Sequence, residues 1–397
     1  MKFKILSSLI NFLAHFFNIQ KKYIFFIPDV YNDLIDESLS NYTSQNPFII
    51  LREILHDDHF DSYKIIYQYN SESELLRAKN SVKELGAIDR FIFLEKNIQS
   101  LQKTISLVYF AFQSKLILST SPLIPYQLKH NKQIHIALNY YSPFKSDIKW
   151  KLESNSIDYV VSTSMFASYI DSQTSSIPIN QYKILGFPRN DYLINPRFSK
   201  EEIFKKLDFD TSKNYFLYLP THRVGNVDDS NDGNLVVGIN DNNYLDALLG
   251  DINSVLVIKG HINNYSNELL EYKNIMHLPT SSEITVYDVM PHMDGFLLDY
   301  SSIYFDILLL NKKIIFNFID YKLYEQSRGF SFDNIEDICF GDIAYDKKSL
   351  IQFIKNSAEH SANLADSAGY DFIVKLAHKY RDSNSTNRVL NFIKEVA

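Results

Sequence analysis

Residues 295–310 read GFLLDYSSIYFDILLL. An apolar run ends at Asp299, and Ser301 and Ser302 then open a second apolar stretch that continues to about Leu310. A short apolar run followed by a serine-capped helix is a strand–turn–helix unit, the repeating piece of a parallel α/β sheet. Free backbone N–H groups and hydroxyls at a helix start favour an anion such as a diphosphate. Asp306 lies one turn in, on the side of Ser302, where it could accept a hydrogen bond from a ribose or polyol hydroxyl. The same residues also fit an ordinary capped turn that holds no ligand.

The alternation continues in both directions from this unit. Strands are expected at 215–220, 254–259, 275–278, 295–299 and 313–318 in the second half of the chain. In the first half they are expected at 23–28, 63–69, 90–95, 115–120, 132–138, 158–163 and 182–187. Helical periodicity is clearest at 45–55 and 99–112. A polar stretch, 190–198, contains Pro196, and Ser199 with Glu202 then forms a capping-box pattern that restarts the alternation. The chain thus divides into residues 1–21, a domain at 22–192 and a domain at 193–397. Two doubly wound, Rossmann-like domains facing a central cleft make the GT-B type of α/β fold, here with C-terminal helices able to cross back onto the first domain. Ligands in such sheets sit beyond the carboxyl ends of the strands.

Composition narrows the class. The 397 residues are 45% hydrophobic and 22% charged, so each half can bury a core. Tyrosine (27) and phenylalanine (29) are abundant, and glycine and proline number 11 each, which excludes a low-complexity chain. A net charge of −7 argues against general nucleic-acid binding. Cys339 is the only cysteine, so no intrachain disulfide or cysteine metal cluster can form. This fits a reducing cytoplasm.

Ile5 to Phe17 is mostly apolar and flanked by Lys2, Lys4, Lys21 and Lys22. It is too short to span a bilayer, which takes about 20 apolar residues. It reads either as a first helix packed on the protein or as an amphipathic helix lying on an anionic membrane. Residues 224–243, rich in Asp, Asn and Gly, follow a strand and read as a mobile loop, a candidate lid over the cleft.

Four further segments place polar groups at strand ends. They are LYLPTHR at 217–223, VIKGH at 257–261, GFPRND at 186–191 and, further on, RGFSFD at 328–333. Singly, a terminal histidine or arginine is an ordinary solvated group. In doubly wound halves the strand ends share one edge. Arg189, Thr221, Lys259, His261, Ser301, Ser302 and Arg328 could then converge on one anion, and Arg223, Asp299 and Asp306 are candidate binding residues beside them. Arginine offers bidentate phosphate contacts and lysine a point charge.

PTHR at 220–223, KGH at 259–261, DYSSIYFD at 299–306 and RGFSFD at 328–333 follow one another at a telling spacing. In this order they resemble the CDP-glycerol:poly(glycerophosphate) glycerophosphotransferases of teichoic-acid and capsule synthesis. GFPRND carries the resemblance back into the first domain. The resemblance implies that the first domain serves the acceptor and the second binds a CDP-polyol donor through Arg189, Thr221, Lys259, His261, Ser301, Ser302 and Asp306. It implies transfer of glycerol phosphate, or a related polyol phosphate, to a lipid-linked or polymeric acceptor with release of CMP. It also implies no resident cofactor or metal, and peripheral attachment to the cytoplasmic face of the membrane. Lys145, Lys149 and Lys151 would guide an acidic acceptor.

One departure matters. The family's first domain carries W-H-G-T-P-L-K, whose histidine resembles the general base. Here the match is NYYSPFK at 139–145, with Tyr140 in the histidine's place. Tyrosine, with a reference pKa of about 10, is a poor base at neutral pH. Tyr140, His135 and Asp147 remain candidates for the catalytic role beside His261, and His135 equally reads as a hydrogen-bonded strand histidine. Two alternatives stay open: a GT-B glycosyltransferase that uses a nucleotide sugar, and a degenerate donor-binding scaffold. His56-Asp57-Asp58-His59 lacks a second ligand cluster, and the Asp228–Gly233 stretch lacks the glutamate of a calcium loop, so neither is read as a metal site.

Overall fold

The computed structural model describes residues 22–27, 46–69, 72–84, 86–95, 109–120, 129–138, 144, 157–221, 235–259, 272–278, 284–327, 329–359 and 368–397. Residues 1–21, and with them the candidate membrane helix, lie outside the described set.

Seven parallel strands form the first sheet: β1 Tyr23–Ile27, β2 Lys64–Tyr69, β3 Phe91–Glu95, β4 Leu116–Ser119, β5 Ile134–Ala137, β6 Tyr159–Ser162 and β7 Tyr182–Ile184. Their order is β3-β2-β1-β4-β5-β6-β7. Six parallel strands form the second: β8 Asn214–Leu219, β9 Ser254–Ile258, β10 Ile275–His277, β11 Gly295–Leu298, β12 Lys313–Asn317 and β13 Asp342–Ala344. Their order, β10-β9-β8-β11-β12-β13, repeats the pattern of the first. Each sheet is therefore doubly wound, and its order reverses once, between β1 and β4 and between β8 and β11.

All twelve expected strands are present. The thirteenth, β13, has only three residues and no apolar run, so nothing in its sequence announces it. The strands are buried on both faces, as parallel sheets are. In β8, Tyr215, Leu217 and Leu219 enter one core while Phe216 and Tyr218 enter another. In β1, Ile24 and Phe26 face one core and Phe25 and Ile27 the opposite one. This is the two-residue period of a pleated strand.

The chain crosses between the sheets twice. The first crossing runs through the turn Pro188–Asn190 and the short helix Asp191–Ile194. Tyr192 and Leu193 enter the core of the second sheet with Ile203 and Phe204 of the helix Lys200–Leu207. That helix carries the expected capping box between Ser199 and Glu202. Arg197 fixes the linker through a two-pronged pair with buried Asp288, at 2.7 and 2.5 Å. The second crossing leads into the helix Ser385–Val396, whose Val389, Leu390 and Ile393 pack with Ile24, Phe26 and Ile54 of the first domain. Lys394 pairs with Asp57 and holds that carboxyl below its usual range. One member of the His56–His59 cluster is thus spent on a structural ion pair.

The candidate lid is only partly a loop. Residues 222–234 lie outside the described set, but Leu235, Val236 and Ile239 are buried in a core, and Asn317 donates to Val237 O at 2.9 Å. The apolar run Leu235–Ile239 anchors that end, which Asp and Asn content alone did not disclose.

Gly186 links both crossings. Its φ is +82°, and a Cβ there would lie 2.4 Å from Ser385 Oγ at the start of the C-terminal helix. Gly186→Ala is expected to lower stability by at least about 1–2 kcal/mol from the left-handed backbone alone. Thermal denaturation reads this, and an unchanged melting temperature would contradict the close approach.

Candidate active site

The second sheet reverses its strand order between β8 and β11, and three of the motifs meet there. Leu219 of β8 pairs with Leu298 of β11, and Tyr218 pairs with Ile258 of β9. Thr221 therefore stands just past the end of β8, Asp299 just past β11 and Lys259 just past β9. Neighbouring strands lie ~4.8 Å apart, so the three ends span roughly 10 Å along one edge. Ligands of doubly wound sheets bind at this kind of position.

Asp299 is fully buried. Its carboxylate accepts from Thr221 N at 2.9 and 3.1 Å and from Thr221 Oγ1 at 2.5 Å. The pair ties the PTHR segment to the DYSS segment across adjacent strands. Asp299 was expected among the donor contacts, and its oxygens order this turn. The next residue, Tyr300, is also buried and donates to Asp320 at 2.9 Å. Ser301 and Ser302 follow, half-buried.

The expected serine cap takes a different form. Ile303 is the N-cap of a four-residue helix, Tyr304–Ile307, with no side-chain capping bond, and a 3-10 turn at Leu308–Leu310 completes it. Backbone carbonyls of Ser301 and Ser302 accept from Tyr304 N and Phe305 N at 3.2 and 3.3 Å.

Asp306 and Arg189, both expected at the donor site, meet each other. Arg189 Nη2 donates to Asp306 Oδ2 at 2.8 Å, and Tyr287 OH donates to the same oxygen at 2.7 Å. Arg189 is 8% exposed and Asp306 2%. Burial, reinforced by the Asp306 carboxylate, pushes the Tyr287 phenol well above its usual range, so it stays a neutral donor. Asp306 thus holds both Arg189 and Tyr287.

The first domain reaches the same place through Phe144 of the NYYSPFK segment. Phe144 is fully buried, stacks on Tyr304 at 5.4 Å and packs against Phe305 at 5.1 Å. Its carbonyl accepts from Ser331 N, in RGFSFD, at 3.1 Å. Phe144 was not among the expected site residues. Its signal is a large apolar side chain between Pro143 and Lys145 in NYYSPFK. Asn46 was also missed: it donates to Leu138 O and accepts from Arg189 N, at 3.0 and 3.1 Å.

His135 is completely buried, with Nε2 2.9 Å from Ser119 Oγ. Its surroundings are those of a hydrogen-bonded core histidine, and sealed inside the sheet it has no access to a substrate. Tyr140, Asp147, Arg223, His261 and Arg328 lie outside the described residues, as do Lys145, Lys149 and Lys151. Among the described residues no three His, Cys, Asp or Glu side chains are grouped to hold a metal ion.

Residues 28–395 match the family model of CDP-Glycerol:Poly(glycerophosphate) glycerophosphotransferase. The chain belongs to this family. It is 27% identical, over 353 residues, to the teichoic acid glycerol-phosphate primase of Bacillus subtilis, covering 84% of this chain and 86% of that one. In fold it is similar to the wall teichoic acid polymerase TagF, with a TM-score of 0.70 at 19% identity, over 98% of this chain and 93% of the other. It is also similar to a putative UDP-N-acetylglucosamine 2-epimerase from Listeria monocytogenes, with a TM-score of 0.56 at 12% identity, over 94% and 96%. Likeness to both supports the two-domain GT-B architecture.

In this glycerophosphotransferase, Asp299 orders the turn at Thr221 and Asp306 holds Arg189. Thr221→Val removes the hydroxyl that donates to the buried Asp299 carboxylate and is expected to lower stability by about 1–3 kcal/mol. Ser302→Ala and His261→Ala are instead expected to abolish donor binding while the melting temperature holds. Calorimetric titration with CDP-glycerol beside thermal denaturation reads both, and wild-type affinity in the serine and histidine variants would remove them from the site.

Proposed function

We propose that this glycerophosphotransferase carries glycerol phosphate from CDP-glycerol to a hydroxyl of a teichoic-acid-type acceptor. The observation that carries the reading is the meeting of Lys259, Thr221, Asp299 and the Ser301–Ser302 pair at the order reversal of the second sheet. That edge offers hydroxyls and a cation to a pyrophosphate. The acceptor oxygen attacks the β-phosphorus in line, the bond from that phosphorus to the bridging oxygen breaks, and CMP departs with that oxygen. The acceptor proton passes to a base, and a phosphodiester forms. Catalysis of this kind rests on positioning and on neutralising charge on the transferring and leaving oxygens.

Cations and hydroxyls of the chain would meet that charge without a resident metal. The acceptor would enter from the first domain, whose NYYSPFK segment is anchored against the donor block by Phe144. The proposed setting is the cytoplasmic face of the membrane. Two features support it: the lysine-flanked apolar stretch at Ile5–Phe17, and the lack, among the described residues, of any helix long and apolar enough to cross a bilayer. Co-sedimentation with anionic vesicles tests that setting, and protein that stays in the supernatant would refute it.

With CDP-glycerol and a teichoic-acid-type acceptor, the purified protein is expected to release CMP, and to continue doing so in EDTA. No release and no binding of any CDP-polyol would refute the proposal. Activity lost in EDTA and restored by magnesium would overturn its metal-free form. Release of UDP from a nucleotide sugar would make the protein a glycosyltransferase. Donor binding without turnover, unchanged in Tyr140→His, would leave a scaffold.

A further inference from the structure

The two chain crossings and the donor block converge on one short helix, Tyr304–Ile307. From the first crossing, Arg189 reaches Asp306 in this helix. From the second, His378 Nε2 lies 2.7 Å from Phe305 O, and His378 is itself buried. The crossings are also fastened to each other. Asp191 accepts from Ser385 N and Thr386 N, at 2.9 and 2.8 Å, at the start of the C-terminal helix. The helix Tyr304–Ile307 begins two residues after Ser302, so the segment that offers its serines to the donor also carries the residues fastened to the hinge.

We propose that Arg189 and Asp306, supported by Tyr287, are positioning residues that hold the two domains at the angle needed for transfer. The proposal rests on the glycerophosphotransfer reading above for its assay, but its geometry stands apart from it. Arg189 is fixed to the first domain from two sides. Its N–H donates to Asn46, which in turn holds the end of β5, and its guanidinium lies over the Phe187 ring at 5.0 Å. On the other side it meets Asp306 and the Tyr287 ring, at 5.4 Å, both in the second domain. A rotation that opened the domains at this point would part the guanidinium from the carboxylate. An uncompensated buried charge is strongly unfavourable, so the pair selects one angle. While it is intact, Nη2 of Arg189 and Oδ2 of Asp306 are held by each other.

This differs from a donor-binding role in a measurable way. If the pair positions the domains, donor affinity belongs to the second sheet and survives its loss, whereas transfer between domains does not. The test uses the full-length chain as Asp306→Asn, Arg189→Lys and Tyr287→Phe, and the double variant Arg189→Met/Asp306→Leu. CDP-glycerol binding is followed by calorimetry, CMP release at saturating donor by turnover, and domain separation by small-angle scattering. Asp306→Asn is expected to bind CDP-glycerol as the wild type does, with kcat down about 100-fold, the loss a misplacement near 1 Å can cause. Its radius of gyration should rise. Tyr287→Phe, which keeps the ion pair, should show the same split at smaller amplitude. The double variant should regain the melting temperature lost by the single ones without regaining turnover.

A fall in donor affinity matching the fall in turnover would overturn the proposal and return both residues to the donor site. If Asp306→Asn does not fold, Arg189→Lys and Tyr287→Phe decide by the same split. If the wild type binds no CDP-glycerol, the functional reading fails. The positioning claim is then judged by scattering alone, and an unchanged radius of gyration in the variants would overturn it.

Discussion

Burying the Arg189 guanidinium beside the Asp306 carboxylate takes two charges out of water. That costs several kcal/mol per ion even after relaxation, and contact at 2.8 Å with a further donor from Tyr287 is what offsets it. Such a pair is a weak source of stability but a strict geometric condition. Its two halves come from different domains, 117 residues apart, so the condition is met only when the domains are assembled in one way. Phe144 adds a dry aromatic contact to the same helix, and Asp191 ties the returning helix to the departing chain. The interface is consequently an extension of the second core, in which Phe144 and Tyr192 count among the buried members.

The site follows from that arrangement. In the block DYSSIYFD the two carboxylates are spent on order: Asp299 on the PTHR turn, Asp306 on the hinge. On the proposed function, hydroxyls and Lys259 along the same edge meet the pyrophosphate. Burial sets the character of the supporting residues as well. The buried His378 imidazole has its pKa lowered by desolvation, so it acts as a neutral hydrogen-bonding group at the hinge. Removing water from charged contacts strengthens them, which is how a small set of fixed groups can stabilise a developing charge.

Much of the fold was legible because parallel strands buried on both faces leave short apolar runs, and twelve of the thirteen were expected from the sequence. β13 escaped because its alignment is set by its neighbour β12 and by the helix after it, with little local signal. The site was legible as a set of segments but less so as roles. Sequence shows that Arg189 and Asp306 recur in motifs; it does not show whether two motif residues meet a common ligand or each other. That outcome depends on how the chain crosses between sheets. The serine cap was misplaced for a related reason: the turn after β11 carries the chain on through backbone bonds, so the N-cap falls at Ile303. Phe144 shows the reverse case, an inconspicuous residue whose importance arises only when another domain supplies its partners.

The most direct test of this account is a crystal structure of the full chain with CDP-glycerol bound. The account predicts a pyrophosphate beyond the ends of β8, β9 and β11, within hydrogen-bonding reach of the Ser301 and Ser302 hydroxyls and near Lys259, with Arg189 still paired to Asp306. A nucleotide bound away from this edge, or an Arg189 that leaves Asp306 to grip phosphate, would contradict it.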